Sequence, residues 1–139
     1  MRRESREKAF QTLFLMDALG VGPDEAIPLF ALTSPPPTDE AYYLETVRGV
    51  WENREEIDGR IRDAAEHWRI ERMALVDRNI LRLGAYEICH GKDIPYVVAI
   101  NEAVDLAKRF GAEESGAFVN GILDRISEVA RKKTSGGKA

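Results

Sequence analysis

Residues 95–111 read PYVVAINEAVDLAKRFG, and the interpretation of this stretch decides the fold class. Residues 96–100 favour a β-strand by propensity, because valine, isoleucine and tyrosine are strand formers. The apolar positions nevertheless continue at helical spacing, at Val97, Ile100, Val104 and Ala107. A periodic pattern over a long segment outweighs a local preference. The stretch therefore predicts a helix with Pro95 in its first turn, these four residues facing the core, and an end at Gly111.

The rest of the chain shows the same helical spacing. Apolar stripes predict further helices: Ala9, Leu13 and Met16 before Gly20; Tyr43, Val47, Val50, Ile57 and Ile61; Met73, Val76, Ile80 and Leu83 before Gly91; and Val119, Ile122, Ile126 and Val129. The second stripe, with Thr38 as N-cap and an end near residue 66, fits one long helix or two consecutive ones. Residues 24–32 are apolar but contain Pro28, so their helicity stays open.

These segments sum to about seven helices and no sheet, which predicts a compact all-α bundle. One domain over residues 1–133 is expected, followed by a flexible tail over 134–139 that begins Thr-Ser-Gly-Gly. The chain has 139 residues, 44% of them hydrophobic, and a mean hydropathy of −0.34. These values exclude a disordered chain, and the longest strongly apolar stretch, residues 96–100, is too short to span a bilayer. Cys89 has no second cysteine to pair with, no secretory signal is visible, and a cytoplasmic location is expected.

The net charge of −4 hides an uneven distribution. Residues 1–10 hold four basic and two acidic side chains, and residues 131–139 hold four basic side chains and no acidic one. The 120 residues between them therefore carry a net charge of −10. Basic ends on an acidic body predict two kinds of partner, a polyanion near the termini and a basic surface elsewhere. The alternative is that the charged ends serve solubility alone.

No catalytic or metal-binding pattern appears in the sequence. His67 and His90 stand 23 residues apart without a second cysteine nearby, so no metal site is expected. Glycine-rich phosphate loops and nucleophile motifs are absent from the sequence. The sequence therefore favours binding over catalysis.

The start of the chain is the strongest candidate binding site. Arg2, Arg3 and Arg6 lie within about 100° on a helical wheel, with Phe14 close to the direction of Arg3. Arginines at a helix N-terminus oppose the helix dipole, so a structural reason for them is weak. Guanidinium groups beside an aromatic ring can clamp phosphates and stack a base of single-stranded RNA. The alternative is that Phe14 belongs to the core.

A second candidate surface involves the last two predicted helices. Glu102 lies on the polar face of the 95–111 helix, and Phe118 lies at the edge of the last apolar stripe. An aromatic side chain bordering an acidic face is typical of a protein-interface anchor. Phe118 as an edge-of-core residue is the equally weighted alternative.

Three segments resemble the NusB family of bacterial transcription antitermination factors. They are RRxxRExAxQxLF from Arg2 to Phe14, VDRNILRL from Val76 to Leu83 with Tyr86-Glu87-Ile88 after it, and the long run from Asp93 through Phe118-Val119-Asn120-Gly121-Ile122-Leu123-Asp124. The similarity covers the chain except residues 20–40 and the tail. It implies an all-helical fold of two small subdomains and no cofactor.

The resemblance also implies partners and contact residues. Family members pair with the ribosomal protein NusE, and the pair holds single-stranded boxA RNA of nascent transcripts so that the transcribing RNA polymerase complex resists termination. RNA contacts are then expected at Arg2, Arg3, Arg6, Phe14, Asp77 and Arg78, and NusE contacts at Glu102, Glu114 and Phe118. Many members have tyrosine where this chain has Phe14, so stacking without a hydroxyl hydrogen bond is expected here.

Two other functions remain open at this level. The chain could be a protein-interaction module or homodimer that binds no RNA itself. It could also serve an enzyme, because NusB-like domains occur fused ahead of RNA cytosine methyltransferases, although no methyltransferase segment lies within these 139 residues.

Overall fold

The computed structural model describes residues 2–137, and the side chains of residues 2–133. It contains seven α-helices: α1 (Arg2–Leu19), α2 (Pro23–Ala31), α3 (Glu40–Glu52), α4 (Arg54–Ala64), α5 (Leu75–His90), α6 (Tyr96–Phe110) and α7 (Ser115–Gly137). A short 3₁₀ turn, Ile70–Arg72, precedes α5. Residues 2–137 form no strand, and the all-α prediction is confirmed.

Helix α5 is the centre of the bundle. It packs against α1, α3, α4, α6 and α7, while α2 packs on α1 and α3. The division into two small subdomains, which the family resemblance implies, stays a prediction. The seven helices share one continuous core, in which Ile57, Ile61, Ile80 and Leu123 are fully buried.

The segment before α3 differs in detail from the sequence prediction. Asp39, and not Thr38, caps α3, because its carboxylate accepts a hydrogen bond from the Tyr42 backbone N–H at 3.1 Å. Thr38 instead donates its backbone N–H to the Glu4 carboxylate at 3.1 Å, which ties this loop to α1. Residues 23–31 are helical despite Pro28, whose side chain is exposed. Asn53 separates α3 from α4, so the two-helix alternative is the one observed.

Two residues assigned to the core are in fact on the surface. Val97 is 62% exposed, and the buried face of α6 consists of Ala99, Ile100, Ala103, Leu106 and Ala107. Alanines bring α6 close to its neighbours, so the small residues face the core in preference to the valine. Val129 is 49% exposed where α7 borders an open groove beside α4. Helix α7 continues to Gly137, beyond the predicted tail start at residue 134, and residues 138 and 139 lie outside the described part.

Candidate RNA and partner surfaces

Arg2 and Arg3 are exposed at the start of α1. The Arg2 guanidinium lies 5.1 Å from the centre of the Tyr42 ring, with its Nε 3.8 Å from a carboxylate oxygen of Asp39. Arg3 is held more closely, since its Nη2 lies 2.8 Å from Asp105 Oδ2. Both cations are accessible from solvent, and both already face carboxylates.

Arg6 is buried and makes a structural ion pair. Its Nε and Nη2 donate to the two carboxylate oxygens of Glu87 at 2.9 and 3.1 Å, and the Tyr42 hydroxyl donates to Glu87 Oε2 at 2.6 Å. Burial lowers the pKa of Arg6, but the hydrogen bonds and charge of Glu87 outweigh it and raise that pKa overall. Burial and the charge of Glu87 raise the pKa of Tyr42. The argument that all three N-terminal arginines lack a structural use is wrong for Arg6.

Long side chains bridge α1 and α6, which run side by side in the same direction. Arg3 pairs with Asp105, Glu7 pairs with Arg109 one turn further on, and the Phe10 and Phe110 rings follow at 5.4 Å between centroids. The hydrogen bond from Arg3 lowers the pKa of Asp105. We call this row of contacts the α1–α6 seam.

Phe14 lies just beyond the seam, half-buried at the edge of the core. Its ring meets the Phe10 ring edge-on, at 6.4 Å between centroids. The remaining face borders an open groove of about 550 Å³ between α1 and α2, lined by Gln11, Phe14, Leu15, Leu29, Phe30, Leu32, Thr33 and Ser34. Phe14 therefore packs against the core with part of its ring, and base stacking on the accessible part stays a prediction.

Asp77 and Arg78 have contrasting environments at the start of α5. Arg78 donates from Nε and Nη2 to the two carboxylate oxygens of Asp17, at 2.7 and 2.8 Å, so its charge is already paired. Burial raises the pKa of Asp17, but the hydrogen bonds from Arg78 and Asn79 prevail and lower it. Asp77 Oδ1 is buried and has no hydrogen-bond partner within residues 2–133. Arg78 is therefore fully paired with Asp17, whereas Asp77 retains a carboxylate oxygen that accepts no hydrogen bond from the described residues.

The predicted partner residues fall into two places. Glu102 lies 3.6 Å from Arg3 Nε and 3.4 Å from Arg6 Nη1, so it belongs to the α1–α6 seam. Phe118 instead packs edge-on against Trp68, with ring centroids 5.5 Å apart. Glu114 is exposed in the turn immediately before α7. Within the described side chains, no hydrogen bond, ion pair or ring contact joins Glu102 to Phe118.

Sequence reasoning missed three residues that shape these sites. Trp68 is 63% exposed in the connection between α4 and the 3₁₀ turn, and its only sequence signal is a tryptophan in a polar segment. Glu87 and Tyr42 hold Arg6, but nothing in their local sequence indicates a buried ion pair.

In the described part of the chain, no helix is long and apolar enough to span a bilayer, and no cluster of His, Cys, Asp and Glu could hold a metal ion.

Comparisons with known proteins agree with this architecture. The model of the NusB family matches residues 3–128. The transcription antitermination protein NusB of Desulfatibacillum aliphaticivorans is 48% identical, over 95% of this chain and 97% of its own length. The Sorangium cellulosum protein of that name is 49% identical, over 91% of each chain.

Solved structures give the same result. Thermotoga maritima NusB superposes with a TM-score of 0.83 at 38% identity, over 92% of this chain and 91% of its own. A crystal structure of the antitermination factors NusB and NusE with double-stranded RNA gives 0.82 at 32% identity, over 92% and 96%. The chain belongs to the NusB family of transcription antitermination proteins.

Proposed function

We propose that this chain is an RNA-binding antitermination factor that, with NusE, holds boxA RNA of nascent ribosomal transcripts and helps RNA polymerase resist termination. It acts by binding, without catalysis, in the bacterial cytoplasm where transcription takes place. The family membership supports this proposal, as does the similar fold that was crystallised with NusE and RNA. NusE is the partner, and boxA RNA is the ligand.

One arrangement on α1 carries the RNA-binding part of the proposal. Arg3 and Phe14 point within about 20° of each other on the helix and are separated by about 16 Å along its axis. Arg2 and Arg3 offer charge-assisted hydrogen bonds to phosphates, while the accessible face of Phe14 offers a stacking surface for a base. Arg6 contributes by fixing the start of α1 through Glu87. Asp77 and Arg78 border the same surface in this proposal.

A basic partner suits the acidic body of the chain. Residues 11–130 carry a net charge of −10, which opposes RNA and attracts a basic protein. Phe118 with Trp68 supplies an aromatic anchor, and Glu114 adds an acidic group at its edge.

The test is fluorescence anisotropy with a labelled boxA oligonucleotide, a scrambled oligonucleotide as control, and purified NusE present or absent. The expected result is binding of boxA in preference to the scrambled RNA, tightened by NusE. With NusE present, Arg2→Ala with Arg3→Ala should make the slope of log K against log salt less negative by about 1.4, since each phosphate contact with a single strand contributes about 0.7. Arg6 stays unchanged in this variant because it is buried.

Phe118→Ala separates partner binding from RNA binding. It should weaken NusE binding by on the order of 2 kcal/mol while the RNA affinity of the chain alone stays the same. An absence of boxA binding with and without NusE would favour an interaction module or homodimer instead. Light scattering of the same samples identifies the homodimer.

A further inference from the structure

We propose that Asp105 and Glu102 compete with RNA for Arg3, so that these two carboxylates limit the RNA affinity of the free chain. The inference rests on the proposed RNA-binding function and assigns a regulatory part of the same site. Asp105 is the stronger competitor, because it makes the shorter contact with the arginine.

The three N-terminal arginines differ in how far they are available. Arg6 is buried, and its guanidinium group is paired with the Glu87 carboxylate. Arg2 is open, since its nearest carboxylate, on Asp39, lies 3.8 Å away. Arg3 is intermediate: it is exposed to solvent, yet its Nη2 is 2.8 Å from Asp105 and its Nε is 3.6 Å from Glu102. Arg3 alone is therefore both accessible and closely paired.

A phosphate and a carboxylate satisfy the guanidinium group in the same way. The carboxylate oxygens and the two non-bridging oxygens of a phosphodiester both carry negative charge and can each accept a pair of N–H donors. An RNA phosphate that takes the Nε and Nη2 donors of Arg3 must therefore displace Asp105, and the carboxylate then faces the incoming polyanion. Exposed ion pairs are weak, so the competition reduces affinity without abolishing it.

The same geometry would allow a basic partner to increase the RNA affinity of the chain. Glu102 and Asp105 are partly accessible, with 25% and 30% of their side-chain surface exposed. A lysine or arginine of the partner that pairs with them would release Arg3 for phosphate and neutralise the nearby charge. Binding of the partner and binding of RNA would then favour each other.

The experiment measures boxA RNA affinity of the chain alone by anisotropy over a series of salt concentrations. Asp105→Asn should bind RNA about two- to fivefold more tightly, the range expected from loss of one exposed ion pair. Its log K against log salt should steepen by up to about 0.7, because one more cation contacts phosphate fully. Glu102→Gln should give a smaller change in the same direction. Unfolding curves of each variant check that the fold is intact.

Two controls separate competition from a general reduction in negative charge. Glu40→Gln removes an exposed carboxylate next to Asp39 that makes no ion pair among the described side chains. It should change RNA affinity less than about twofold at physiological salt, where exposed charges are screened. In an Arg3→Ala background, Asp105→Asn should also have little effect, since the arginine for which it competes is gone.

The outcomes distinguish the inference from the function on which it rests. If the wild-type chain binds boxA but Asp105→Asn binds no more tightly, the competition is refuted while RNA binding stands. An equal gain in RNA affinity from Asp105→Asn with and without Arg3 also refutes it. The gain would then come from the lower negative charge of the chain and not from the release of Arg3. Failure of the wild-type chain to bind RNA, with NusE present or absent, overturns the proposed function and this inference together.

Discussion

The carboxylate of Glu87 shows how single residues position the start of α1. Glu87 is buried on α5, where it accepts hydrogen bonds from Arg6 of α1 and from Tyr42 of α3. A buried carboxylate without its cation is costly, because desolvation opposes the charged form. Arg6 thus offsets the charge of Glu87 and at the same time fixes the end of the helix that presents Arg2 and Arg3.

Arg6→Ala should lower the free energy of unfolding by about 3–5 kcal/mol, since it leaves Glu87 buried and unpaired. Urea denaturation followed by circular dichroism measures the loss. Arg2→Ala is the matched control: Arg2 is exposed, so this change should stay within about 0.5 kcal/mol of the wild type. Equal stability of the two variants would show that Arg6 is not the structural arginine described here.

At the level of helices, close packing in the α5–α6–α7 group depends on small residues. A Cβ atom at Gly84 of α5 would lie 2.6 Å from a methyl carbon of Leu123 and 3.4 Å from Ala103 Cβ. Helix α6 can approach α5 because these positions are glycine and alanine. In contrast, a Cβ atom at Gly59 of α4 would have no neighbour within 4 Å.

Gly84→Ala and Gly59→Ala should therefore have opposite effects on stability. The first overpacks the core and should cost about 1–3 kcal/mol. The second gives α4 a better helix former in open space and should stabilise the protein by about 0.5–1 kcal/mol. Thermal melts of the two variants provide the comparison. A destabilising Gly59→Ala would contradict the open environment of that position.

For the whole molecule, the main property is the opposition between a basic start and an acidic body. In the proposed function, RNA at α1 would meet a region of net charge −10, and a basic partner on that region would relieve the repulsion. We expect boxA RNA to tighten NusE binding by the same factor by which NusE tightens RNA binding, about 5- to 150-fold. Calorimetric titration of NusE into the chain, with and without RNA, measures this factor. Identical NusE affinities in the two titrations would show that the sites are uncoupled.

The sequence by itself determined the fold class, because helical spacing of apolar residues depends only on which side of each helix meets a core. The strand-like residues 96–100 are helical for this reason. The sequence also indicated Arg2, Arg3 and Phe14 as one face of α1. Tertiary structure alone decided that Val97 is exposed and that alanines of α6 face the core, since contact distances between helices are absent from a one-dimensional pattern.

The state of each charged residue was likewise decided only by the tertiary structure. Arg6 and Glu87 are 81 positions apart in the chain, and Arg3 and its partner Asp105 are 102 positions apart. Two arginines about one turn apart on α1 therefore have different environments: Arg6 is buried, and Arg3 is paired at the surface. An ion pair between distant segments depends on which helices pack together, and the local sequence does not specify that packing.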